Sequence, residues 1–184
     1  ITKGSGVGST RVSVVTWNPT LRRDDCVAIG REDGRVEVAI RDVTKGQWQS
    51  ICLRGDKDNK THSFKHFGQV LDIRWDPLSH IYLLVLWQSG KVAVFDTENI
   101  GRSTGSNSSY SGDSTLINLF TKCGASTRGI SWMPWQPGNF MTVGNRTGII
   151  SVWNVSGTDM PLETSKPSNI PFCYLQRVID RVHS

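Results

Sequence analysis

Apolar residues along this chain come in short runs, some continuous and some alternating with polar residues, and turn residues separate them at regular intervals. The densest run, Ile81 to Trp87, is apolar at nearly every position and too short for a globular helix, so it predicts a strand covered on both faces. Lys91 to Phe95 alternates Lys, Val, Ala, Val, Phe, which predicts a strand with its valines on one face. Gln88-Ser89-Gly90 between them is a tight turn, with glycine at the position that needs a positive φ. Upstream, Val70 to Trp75 predicts another strand, closed by Asp76-Pro77 because proline has no N–H for a sheet ladder.

The same frame occurs three times. VSVVTWNP begins at Val12, VLDIRWDP at Val70 and RGISWMP at Arg128, and their tryptophans, Trp17, Trp75 and Trp132, stand 58 and 57 residues apart. So constant a period marks stacked or radial repeats. Each copy carries a turn glycine (Gly34, Gly90, Gly148), and five residues further on stand Ala39, Phe95 and Trp153. Fourth strands are expected at Trp48 to Leu53, Leu116 to Phe120 and Phe172 to Leu175. The units span 11–56, 62–120 and 121–175, between a Gly-rich leader (1–10) and a tail (176–184). A serine-rich insertion at 98–114 reads as a spacer, with phosphorylation around Ser106 to Ser111 as its functional alternative.

Third strands ending in Phe95-Asp96 and Trp153-Asn154 resemble the signature of the WD-repeat family. That resemblance implies an all-β fold of four-stranded blades set radially around a channel. Three blades are too few to close a ring, so an open partial propeller is expected, with apolar faces bare at its ends and a tendency to self-associate. The family's buried network of a Gly-His pair, a turn Asp and a strand Trp is incomplete. His66-Phe67-Gly68 replaces the Gly-His pair, Asp33 is the one turn Asp, and Ser89 and Thr147 fill the other turns. Stability is therefore expected to rest mainly on apolar burial.

The resemblance implies a non-enzymatic scaffold that meets protein partners, or further blades, through rim loops. Loops entering the first strands and those between the second and third strands converge on one rim. Candidate contacts are Arg31, Glu32, Asp33, Phe67, Gln69, Gln88, Ser89, Arg128, Asn145 and Arg146. No cofactor, metal or catalytic residue is expected.

Composition adds little to the picture. A hydrophobic fraction of 37%, with 18 glycines, is ordinary for a folded domain. The chain has no bilayer-length apolar run or signal-peptide pattern, and with no initial Met it reads as a piece of something longer, from the cell interior. Cys26, Cys52, Cys123 and Cys173 are too far apart for a metal knuckle and do not form a disulfide framework. The net charge of +5 raises nucleic-acid or acidic-partner binding through the basic loop 54–66 as an alternative, but Arg54, Lys57 and Lys60 are interleaved with Asp56 and Asp58.

Weaker motifs carry less. Gly4 to Gly8 resembles a phosphate loop only in its glycines, since no strand precedes it and no lysine follows. His62 and His66 share a face only on a helix, in a region between strands, and lack a third ligand.

Overall fold

The computed structural model describes residues 10–19, 25–42, 46–53, 64–98, 100, 116–145, 148–157 and 161–165. The leader apart from Thr10, most of the 98–114 insertion, residues 54–63 of the basic loop, Arg146 and the tail lie outside them.

Twelve strands form three antiparallel sheets, each four strands in chain order. The first holds β1 (Val12–Trp17), β2 (Cys26–Arg31), β3 (Val36–Asp42) and β4 (Gln47–Cys52). The second holds β5 (Val70–Trp75), β6 (Tyr82–Trp87), β7 (Val92–Asp96) and β8 (Leu116–Phe120). The third holds β9 (Thr127–Trp132), β10 (Asn139–Gly144), β11 (Ile150–Asn154) and β12 (Glu163–Ser165). One element differs from expectation. The described fourth strand of the last sheet is Glu163–Ser165, paired with Ile150–Val152, while the expected Phe172 to Leu175 lies outside the described residues. This short polar strand has no apolar pattern to announce it, and the ladder alone defines it.

Cross-strand register shows that the copies are structural repeats. Trp17 faces Val27, which faces Ala39; Trp75, Leu83 and Phe95 form the same row; so do Trp132, Phe140 and Trp153. Each first strand also carries one extra residue four positions before its tryptophan, Ser13, Leu71 or Arg128, where the register slips against the second strand. A bulge recurring at one place is a feature of the unit and not a defect.

Two apolar layers join the sheets. Cys26, Ala28, Val36 and Val38 of the first sheet pack against Ile73, Trp75, Leu83, Val85, Trp87 and Phe95 of the second. The other face of the second sheet, Leu84, Leu86, Val92 and Val94, packs against Ile130, Trp132, Phe140 and Trp153. The Ile81–Trp87 run is thus buried on both sides, because consecutive strand residues point to opposite faces. Polar bonds repeat across the layers as well. The Trp75 indole N–H donates to the Thr16 carbonyl at 3.4 Å, and the Trp132 indole N–H to the Arg74 carbonyl at 2.9 Å. Each acceptor immediately precedes the tryptophan of the unit before. Among the described residues the first and third sheets share no apolar layer, so the arc is open.

Candidate functional site

Hairpin turns and entry loops meet on one rim, as the repeat pattern requires. The backbone N–H of Glu32 donates to the Arg11 carbonyl, that of Gln88 to Gln69, that of Ser89 to Phe67, and that of Asn145 to Ser126. Gly34 and Gly90 have φ of 84° and 79°, and each lies against the entry loop of the next unit. Gly148 is also left-handed, at φ 60°, but its turn is one residue longer: Gly144 bonds Ile149, whereas Arg31 bonds Arg35 and Trp87 bonds Lys91.

The structure divides the candidate contacts. Glu32, Gln88, Arg128 and Asn145 are exposed on this rim and Gln69 is half-exposed. Arg128 is the bulge residue of its strand, which turns its side chain outward to carbonyls of the rim: Nη1 donates to Thr127 at 2.7 Å and Ala125 at 3.0 Å. Arg146 lies outside the described residues.

Phe67 is a correction. It belongs to the 3-10 turn Phe64–Phe67 and is 4% exposed, with its ring 5.5 Å from Trp87 and 5.8 Å from Phe64. The turn tucks both phenylalanines inward and leaves Lys65 and His66 on the surface. Ser89 turns its Oγ inward, where it has no hydrogen-bond partner among the described residues.

Arg31 and Asp33 are engaged in ion pairs. Arg31 grips Glu37 with Nε to Oε1 at 2.8 Å and Nη2 to Oε2 at 2.9 Å, and Ser50 Oγ donates to Oε2 at 3.0 Å. Asp33 accepts from Arg35 Nε at 2.7 Å. The hydrogen bond from Arg31 holds the Glu37 carboxyl below its ordinary range, against the opposing effect of burial, with Ser50 assisting. For Asp33 burial alone would raise the value; the backbone and side-chain bonds from Arg35 together outweigh it and lower it.

A pH dependence follows from Glu37. Its folded value lies below the ordinary 4.5, so its stabilisation is complete above that value and disappears as pH falls through the depressed one. Glu37→Gln should therefore be less stable than the parent at neutral pH. The gap should begin to narrow in denaturation curves as pH falls below that ordinary value, and close once the parent carboxyl is protonated in the folded state as well. A gap constant from pH 7 to 3 would show that the ion pair contributes nothing.

Among the described residues charge is segregated between the two rims. The turn rim carries Arg11, Lys65, Lys91, Lys122 and Arg128, besides Arg31 and Arg35, which pair with Glu37 and Asp33, against Glu32 and Asp33. The opposite rim carries Asp25, Asp76, Asp96 and Glu98, while Arg41 and Arg74 on strands leading to it pair with Asp25 and Asp72. Spacing along the chain hid this division. A basic residue directly after the hairpin glycine, Arg35 and then Lys91, was the one signal of it that could be read.

Among the described residues no group of three or more His, Cys, Asp or Glu gathers to hold a metal, and no helix is long and apolar enough to cross a membrane. In the third unit the buried Trp153 indole N–H donates to Thr142 Oγ1 at 2.9 Å. No protein-family model matches the chain. Among solved structures, the crystal structure of the C-terminal WD40 domain of Sif2 is similar, with a TM-score of 0.59 and 14% identity over 85% of this chain. The chain spans 37% of the length of that one, and at such identity the likeness concerns the fold alone. The chain therefore has the fold of WD40 propeller blades, three four-stranded units making an open part of a ring.

Proposed function

We propose that this chain is a non-enzymatic interaction scaffold whose basic rim binds an acidic segment of a partner protein. The observation that carries the reading is the segregation of charge among the described residues: cations on the turn rim, carboxylates on the other. Such a field raises the encounter rate with an acidic partner and sets its orientation. The rim is built on backbone bonds between hairpin and entry loop, so its side chains are presented by a rigid frame.

Nucleic acid is the less favoured occupant. Unspecific single-strand binding uses exposed aromatic rings on which bases stack. Here the rings nearest the cations, Phe64 and Phe67, are buried, and Lys91 covers Phe67 at 4.3 Å from its centroid.

Two finer statements belong to the same proposal. An intracellular setting accords with the isolated spacing of the cysteines. Kinship with WD repeat-containing protein 17 rests on Trp75-Asp76-Pro77-Leu78-Ser79, Tyr82-Leu83-Leu84-Val85 and Val152-Trp153-Asn154-Val155-Ser156, which resemble its middle.

The test is fluorescence anisotropy with a labelled glutamate-rich peptide and, separately, an oligouridylate of similar charge. The double variant Lys65→Glu, Arg128→Glu should weaken peptide binding on the order of tenfold at low salt. Leu78→Ala on the opposite rim, where Leu78 is exposed, should leave it unchanged. Peptide binding unaffected by the double variant, or oligouridylate binding tighter than peptide, would overturn the reading.

A further inference from the structure

Within the chain each interface between units is built one way. The tryptophan face of one sheet seats on the opposite face of the sheet before it, and the indole N–H reaches a carbonyl there. Both halves of that interface recur unsatisfied at the two ends of the arc.

At one end is the tryptophan face of β1–β4. Val12, Val15 and Trp17 are 51%, 53% and 59% exposed. Their counterparts in β5, Val70, Ile73 and Trp75, are 0%, 1% and 6% exposed, and those in β9, Thr127, Ile130 and Trp132, are 1%, 6% and 6%. Trp48, also exposed, extends this face by packing edge-on against Trp17 at 6.1 Å.

At the other end is the outer face of β9–β12. By register Met141, Val143, Ile150 and Val152 stand where β6 and β7 have Leu84, Leu86, Val92 and Val94, which are wholly buried. In β10 and β11 Val143 is 41% exposed and the other three are partly exposed.

We propose that the chain associates head to tail: the Trp17 face of one copy docks on the Met141 face of a second, its indole N–H donating to the Ser131 carbonyl. Ser131 is chosen by register. It precedes Trp132 as Thr16 precedes Trp17 and Arg74 precedes Trp75, and those two carbonyls are the acceptors inside the chain. The second copy is the occupant because the same chain carries both faces, and the contact repeats two interfaces it already makes. Such a contact is heterologous, so each copy keeps one open face until a ring closes.

Sedimentation velocity over a range of concentrations tests this on the 184-residue chain of 20.4 kDa. The parent should grow in mass with concentration. Val15→Lys and Val143→Lys, both at exposed positions, should each be monomeric alone, because one face of every contact is charged. Mixed, they should give a dimer and nothing larger, since one intact face of each kind remains. A parent that stays monomeric throughout, association that survives either lysine, or a mixture that stays monomeric would each overturn the proposal.

If a lysine variant does not fold, oxidative footprinting of the parent replaces it. Trp17 and Met141, both reactive side chains, should lose reactivity together as concentration rises. Loss at one without the other would also overturn it.

Discussion

Trp153→Ala should lower the unfolding free energy by roughly 3–5 kcal/mol, read from chemical denaturation. The residue is 1% exposed, stacked on Phe140 with centroids 6.4 Å apart and edge-on to Phe120 at 5.6 Å. Truncation removes this contact area and leaves a cavity between the second and third sheets. It also strands the buried Thr142 hydroxyl, which accepts the indole N–H at 2.9 Å. Trp153→Phe separates the two effects: the ring volume largely survives, and the unpaired hydroxyl should cost about 1–3 kcal/mol. Trp48→Ala, at a half-exposed ring on the open face, should cost much less. A Trp153→Ala loss below about 1 kcal/mol would show that the second layer is not packed as described.

Gly90→Ala should be comparably severe, about 2–5 kcal/mol, for a different reason. Gly90 has φ 79°, which alone disfavours a side chain. Its added Cβ would lie 2.0 Å from the Gly124 carbonyl oxygen and 2.9 Å from the Ala125 Cα, so backbone and not a flexible side chain has to give way. Gly46→Ala is the matched control, with φ 65° and nothing within 4 Å. It should show the conformational cost alone, about 1 kcal/mol. Equal losses in the two variants would mean that the third unit's entry loop does not rest on the Gly90 turn.

These two residues also show how far the sequence could be read. Trp153 stood out because it occupies the place of Phe95 and Ala39 in a repeating frame, and the register confirms that equivalence. The small residue is tolerated in the first unit because, among the described residues, Ala39 lies on a face that neither of the other two sheets covers. Gly90 was legible as a turn residue, but its contact with Gly124 was not, since that depends on how one unit seats against the next.

For the candidate site the division is sharper. Glu32, Gln88 and Asn145 could be placed on the rim from strand order alone, because a hairpin turn must lie at the end of its strands, and Arg128 because it opens a first strand beside them. Phe67 could not: four residues of 3-10 turn send Phe64 and Phe67 into the core and Lys65 and His66 outward, and an aromatic in a loop carries no mark of which way it points. The Arg31–Glu37–Ser50 cluster joins neighbouring strands of one sheet, and the bulges depend on a slip between two strands, so neither has a signature in a single segment.

By itself the sequence determined the number of units, the strand order within each and the residues that repeat, because alternation and turn chemistry are local and recur at a fixed period. Only the tertiary structure decided which faces are covered, where the short β12 pairs, and that the described cations gather on one rim while the described carboxylates gather on the other. Those outcomes depend on the registration of one sheet against the next, a long-range property. That registration also leaves Trp17 bare at one end of the arc and Val143 at the other.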